Sequence, residues 1–490
     1  VAPLLLLLLL ALALAVVLAG LLATTGLGEH GAQQARVLRP SRLSPPAITG
    51  APSVGRRLRA SRGRWSHRPV SYAYSWRRCN ASGTRCRAIR HATRRTYVVA
   101  AADVGSTLRV SVIATNAAGR SKPALSAHTA VVGGRAPTAG AGLQRLEYVF
   151  DDGLISAYDV DRGLRLVKTI SLPQTNAGIR GATVAPSTHM LFISYGGDGG
   201  GNGNGSVLAY DLLAERVVWT VHLNSGIDSG AVSPDASRLY MPSGENSASG
   251  IWNILNTANG AIVGTIRAGA GPHNTIVSAD GRFVYLGGRN HNYLGVYQTA
   301  SGRVREVGPL AGGVRPFTVN GANTLAFTTA TGVAGFQVSS IASGHVLYSI
   351  SFGPAPAGFP YTAPSHGISL SPDERQLYVI DAGRKVVRAY DVSGVAHGVA
   401  PRELGAIHVA GWNGRESPCA YDCGQDGWLQ HSLDGRYVFV GDSGEVIETA
   451  TRRVIATLPT LANTRKSLEI DWQNGAPQAT SGRSGVGYVP

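Results

Sequence analysis

Three turn aspartates set a register for the residues best suited to chemistry. Seven positions before Asp373 stands His366, seven before Asp280 stands His273, and seven before Asp235 stands Asp228. Weaker copies of the pattern put Arg180, Arg315, Asp426 or Gln430, and Lys466 at or near the equivalent place. His273, His366 and Asp228 are ligand types for a divalent metal, which could activate water for hydrolysis of a lactone or ester. Alternatively, Arg180, Arg315 and Lys466 clamp an anion through charge-assisted hydrogen bonds while the histidines orient it. A third reading is architectural: polar residues line any solvated channel, and a His before a strand can simply satisfy neighbouring backbone groups. The chain contains no G-x-S-x-G, no HExxH, no Walker loop and no c-type haem motif, so no familiar catalytic signature decides among the three.

The elements that must position these residues are short strands. The clearest unit, SHGISLSPDERQLYVIDAGRKVVRAYDVSG at 365–394, reads as strand, Pro-Asp turn, strand, short turn and strand. Related units start at 182, 229, 272, 315 and 429. A spacing of roughly 40 to 60 residues suits the blades of a β-propeller. EYVFDD, LISAYDV and LRLVKTISL, within 147–172, give three strands with no inner strand before them, and SLEIDW at 467–472 can supply it. The expectation is a seven-bladed β-propeller over 143–490, closed by the C-terminal strand, which removes free sheet edges. The starts of the inner strands then converge on one channel mouth, gathering Arg180, Asp228, His273, Arg315, His366 and Lys466 as a ligand-binding set.

LYVIDAG, FVYLGG and YVFVGDSG, each followed by a strand such as VRAYDV, resemble the YVTN-type repeats of bacterial surface and periplasmic propellers, the YncE-like and lactonase-type proteins among them. That resemblance covers about 340 residues and implies a fold; such propellers host adhesion, cofactor binding, hydrolysis and scaffolding, so it does not by itself assign an activity.

Residues 44–133 differ in character. Strand-like runs at 70–76, 96–100 and 107–115 are bounded by Gly, Pro, Asn or Asp. PPAITGAPSVG, GRW, YAYSWRRC and ADVGSTLRVSVIATNAAG resemble the Ig-like modules of exported actinobacterial proteins, small β-sandwiches that act as spacers or adhesive units. The resemblance implies that Trp76 is a core residue and that Cys79 and Cys86 pin a hairpin. Charge is concentrated here: residues 36–135 hold 20 Lys+Arg and one acid, Asp103, whereas residues 136–490 hold 25 Lys+Arg against 27 Asp+Glu. Arg77, Arg78, Arg85, Arg87, Arg90, Arg94 and Arg95 cluster around the hairpin and suit contact with an anionic cell-envelope polymer or glycan, set against a merely solvated basic surface. Nucleic acid is disfavoured as a partner, since no recognition motif accompanies the charge.

Residues 1–25 are almost wholly apolar, with no charge before Glu29, and read as a signal peptide or an N-terminal anchor; any membrane contact would be through this segment. Residues 26–43 and 134–142 read as linkers. An extracellular or cell-surface location follows, and it makes disulfides of both close cysteine pairs, Cys79 with Cys86 and Cys419 with Cys423. The expected function is an exported binding or scaffold protein whose channel mouth takes a small anion, glycan or protein; the alternative is a lactonase-like hydrolase or lyase, with a divalent metal as its candidate cofactor.

Overall fold

The computed structural model describes residues 37–50, 52, 57–80, 83–103, 106–129, 132, 142–196, 203–359, 362–412, 427–464 and 466–481. The expected leader, the Cys419–Cys423 pair and Asp426 lie outside these residues. Among those described, no helix is long and apolar enough to cross a membrane.

The N-terminal unit is built on two long strands, Ser71–Cys79 and Thr107–Asn116, paired antiparallel from Ser71↔Thr115 to Cys79↔Thr107. A three-stranded sheet of Ile48–Thr49, Arg57–Ala60 and Thr96–Val98 completes its core, with Trp76, Leu58, Val99, Leu108, Val110 and Val112 buried together. Trp76 stacks on Tyr97 at 5.4 Å and donates its indole N–H to the Arg94 carbonyl at 3.0 Å. Regular structure starts inside the expected linker, because Arg42–Ser44 already pairs with Arg64–Trp65. Cys79 and Cys86 form a disulfide. Asp103, the acid of this basic stretch, is wholly buried and accepts hydrogen bonds from Arg78, the Tyr97 hydroxyl and the Ala100 N–H.

Residues 142–481 form a β-propeller of antiparallel sheets, six of them four-stranded. Six sheets are simple meanders, beginning with Ile179–Ala185, Ala231–Val232, Pro272–Val277, Val314–Val319, Ile368–Leu370 and Trp428–His431. Pro272–Val277 and Val314–Val319 are buried along their whole length, while the outer strand Arg216–His222 alternates exposed and half-buried positions. Inner strands are covered on both faces, even at His273, Asn274, Thr275, Arg315 and Thr318, and outer strands on one. The recurrent turn is a Ser-x-Asp device. In the turns at Asp235, Asp280, Asp373 and Asp434, the Ser two positions earlier donates to the Asp carboxylate at 2.5–2.8 Å. The same Ser oxygen accepts the N–H five positions on, at 2.9–3.0 Å. These aspartates are therefore consumed in building the turn, and they hold the register that places the residues seven before them.

A further sheet joins distant parts of the chain. Ser467–Gln473 pairs with Leu143–Asp151 from Leu143↔Gln473 to Val149↔Ser467, and Ala476–Thr480 pairs in turn with Ser467–Gln473. This sheet packs Val149, Tyr158, Val160 and Leu164 against Phe439, Val446, Leu458 and Leu461 of the sheet that begins at Trp428.

Candidate functional site

Antiparallel pairing puts the start of each first strand beside the end of the second. Pro272 lies opposite Gly288, so His273 and Arg289 emerge at one end; Val314 lies opposite Ala330, so Arg315 and Thr331 emerge there too. Arg180, Asp228 and Glu245 reach the same end from two neighbouring sheets, and the six side chains meet in one network.

At its centre is Glu245, buried at 4% exposure. Arg180 reaches one of its oxygens at 2.8 Å; Arg289 at 2.8 Å and Arg315 at 3.4 Å reach the other. His273 donates Nδ1–H to Asp228 Oδ2 at 3.0 Å and lies 3.8 Å from Glu245 Oε2. Arg180 also touches Asp228, at 3.4 Å. Arg315 is braced by Thr331 at 3.0 Å and Thr362 at 2.8 Å. Three guanidinium groups thus converge on the two carboxylates, with His273 beside them. The His273 Nε2 atom is buried and has no hydrogen-bond partner among the described residues.

Burial works to raise both carboxyls. The charges of His273 and Arg180 outweigh it at Asp228, which ends below its ordinary 3.8, and with Arg289 and Arg315 added Glu245 ends well below 4.5. A carboxyl depressed in the folded state contributes stability that is complete above the ordinary value and is lost as pH falls through the folded one. The stability gap between wild type and Glu245→Gln is therefore expected to be large at about pH 7 and to close in strong acid. Urea midpoints across the acid range measure it, and a gap that stays constant would sink this account of the network.

The structure brings together four of the six residues expected from sequence: Arg180, Asp228, His273 and Arg315. His366 is adjacent but differently engaged. Its ring lies 6.1 Å from that of His273, and its Nδ1 bonds to the Gly427 carbonyl at 3.0 Å. Lys466 sits at the start of Ser467–Gln473, where its backbone pairs with Phe150 and Thr464; the leading charges on Glu245 and Asp228 are those of His273 and the three arginines. Gln430 turns its amide N–H to the His431 carbonyl. Glu245 and Arg289 were not anticipated. They follow second strands, nine or ten residues beyond the turn aspartates, whereas the register used to find the others looks only before them.

Asp228, Glu245 and His273 place one ligand atom each within 4.8 Å of one another, the grouping among the described residues able to hold a metal ion. Glu245 therefore takes the place that sequence spacing gave to His366. The donor types suit a divalent ion, but both Glu245 oxygens are already held by guanidinium groups, and a dication would enter beside three fixed positive charges.

No family model matches the chain, and no curated protein matches it. Among solved structures it is similar to the periplasmic gluconolactonase PpgL of Pseudomonas aeruginosa, with TM-score 0.49, 18% identity, 69% of this chain covered and 98% of that one. It is also similar to the dihydro-heme d1 dehydrogenase NirN, with TM-score 0.46, 14% identity, 69% of this chain and 73% of that one. A third is the propeller domain of Myceliophteria thermophila Cps50 (Swd1), with TM-score 0.44, 11% identity, 57% of this chain and 88% of that one.

Proposed function

We propose that this is an exported binding protein of the cell envelope, whose propeller takes a small anion at the mouth of its channel. In this reading the sheets are seven blades of one closed ring, with Ser467–Gln473 as the closing strand, and the mouth is where the six network residues meet. The N-terminal unit, read as an Ig-like module, contacts anionic envelope polymer through its arginines.

The single observation behind the mouth's role is the unpartnered, buried Nε2 of His273 beside Arg180, Arg289 and Arg315. A buried polar atom left without a partner costs about 1–3 kcal/mol. A ligand oxygen supplying that partner would recover this, and an ionised carboxylate or phosphate accepts a stronger hydrogen bond than a neutral group does. Calorimetry and thermal melts of the full chain with a sugar acid, a sugar phosphate and the neutral parent sugar test it. An acid or phosphate is expected to bind and raise the melting temperature, and His273→Ala to weaken it about 10- to 100-fold, the loss of one charge-assisted hydrogen bond.

The second reading is a metal-dependent hydrolase, lactonase-like in reaction, and the observation favouring it is the Asp228, Glu245 and His273 cluster. Its signature is the reverse: a bound ion near one per chain, a melt lowered by chelator, and no response to anions.

A further inference from the structure

In the propeller the arginines are mostly spoken for: Arg145, Arg384, Arg388, Arg402 and Arg436 each face a carboxylate. The N-terminal unit behaves differently. Its one acid, Asp103, is buried and holds Arg78 at 2.6 Å. Arg77 donates to the Cys86 carbonyl at 2.9 Å and Arg95 to the Ala60 carbonyl at 3.0 Å. The seven arginines expected to form one patch are therefore divided. Three are used to build the unit. Arg85, Arg87 and Arg90 are exposed and make no side-chain hydrogen bond or ion pair with any described residue.

Those three line one cavity of about 430 Å³, with Arg78, Asn80 and Ser106 among the other residues around it and no acid in its wall. Its frame is fixed. The Cys79–Cys86 disulfide closes the hairpin. Asn80 accepts the Thr84 N–H at 2.8 Å, and Thr107 donates to the Asn80 carbonyl at 3.0 Å. Arginine forks held on a braced hairpin lose less freedom on binding than forks on a loose loop. The volume falls within the usual range for ligand pockets, about 300–1,000 Å³.

We infer that this cavity is a discrete phosphate site, taking one phosphodiester of an anionic polymer into the space between Arg85, Arg87 and Arg90. Three guanidinium groups in one wall suit a tetrahedral oxyanion, which accepts in three directions; a planar carboxylate offers two oxygens in one plane. This deepens the attachment half of the proposed function and rests on it.

The test uses the full chain and two polyanions of similar charge density, a poly(glycerol phosphate) oligomer and an oligogalacturonate, at fixed salt. The wild type is expected to bind the phosphate polymer about tenfold more tightly than the carboxylate. Arg85→Ala/Arg87→Ala/Arg90→Ala should remove that preference and lower phosphate affinity at least tenfold. Arg57→Ala/Arg59→Ala/Arg64→Ala, which removes the same charge from exposed positions outside the cavity wall, should lower affinity for both polymers by about twofold. Lysine at positions 85, 87 and 90 keeps the charge and loses the fork, so the preference should fall although the variant still binds. Equal losses from the two alanine triples, or a lysine triple that matches wild type, would overturn the site and leave a diffuse basic surface. A wild type that binds neither polymer would instead remove envelope attachment itself, which separates the two failures.

Discussion

Arg145→Ala is expected to lower propeller stability by about 3–5 kcal/mol, the range for removing one partner from a buried ion pair. Arg145 is 5% exposed. It donates through Nε and Nη2 to Asp161 of its own sheet and through Nη1 to Asp434 of the sheet that begins at Trp428. It is thus the buried charged link across the junction where the two ends of the propeller sequence meet. Without it Asp434, whose side chain is 7% exposed, stays buried among acids, since Glu469 and Asp471 lie close enough to act on one another and feel Asp434 as well. Arg436, which also pairs with Asp161 and Asp434, is 42% exposed and cannot replace the buried fork. Lysine at position 145 should recover less than half of the loss, because one ammonium cannot serve two carboxylates as the fork does. Adding Asp434→Asn to Arg145→Ala should restore part of the stability, and the coupling can be read from a double-mutant cycle of urea midpoints. A single-mutant loss under about 1 kcal/mol would mean that the apolar contacts at this junction carry the load alone.

The second large effect depends on pH. Glu147 and Glu469 stand directly opposite each other in paired strands, both fully buried. Burial pushes the Glu147 carboxyl up from 4.5 to about 8. Burial, then Asp471 and Glu147, raise Glu469 well above its ordinary value, and Asp471 is pushed up to about 6, again chiefly by burial. A carboxyl raised in the folded state favours the fold in its protonated form. Its contribution is complete below about pH 4.5 and is lost as pH rises through the folded value. For Glu147 alone the cost once both states are ionised is roughly 5 kcal/mol, at 1.36 kcal/mol per unit. Glu147→Gln keeps the volume and cannot ionise. It should change stability little at about pH 4 and raise the melting temperature clearly at about pH 9. Parallel pH profiles for the variant and wild type would refute the assignment.

The all-β architecture was legible because its signals are local. Short strands show between turn residues, and Ser-x-Asp turns mark the step from the first strand to the second. Counting back from those turns found Asp228 and His273, since each stands seven residues before its turn aspartate although the strands between differ in length. Glu245 and Arg289 were hidden because they stand after the second strand, where the following connection varies and no repeated residue marks the position. Glu147 and Glu469 were hidden for another reason. In sequence each is one polar residue in a strand, which reads as a solvent-facing position, and only the pairing of 143–151 with 467–473 shows that the two face each other indoors. The division among the hairpin arginines was equally invisible: Arg77 and Arg85 are the same residue type, and the carbonyl that engages Arg77 lies nine positions away.

The sheet that joins Leu143–Asp151 to Ser467–Gln473 also constrains when the protein can exist as a finished object. Thr464 donates to the Phe150 carbonyl across 314 positions, so Leu143–Asp151, paired on one side with Leu154–Asp159 at once, waits for nearly the last strand to fill its other side. Contacts this far apart in sequence make folding slow. Until they form, one unpaired edge stays open to chaperones, proteases and other copies of the chain.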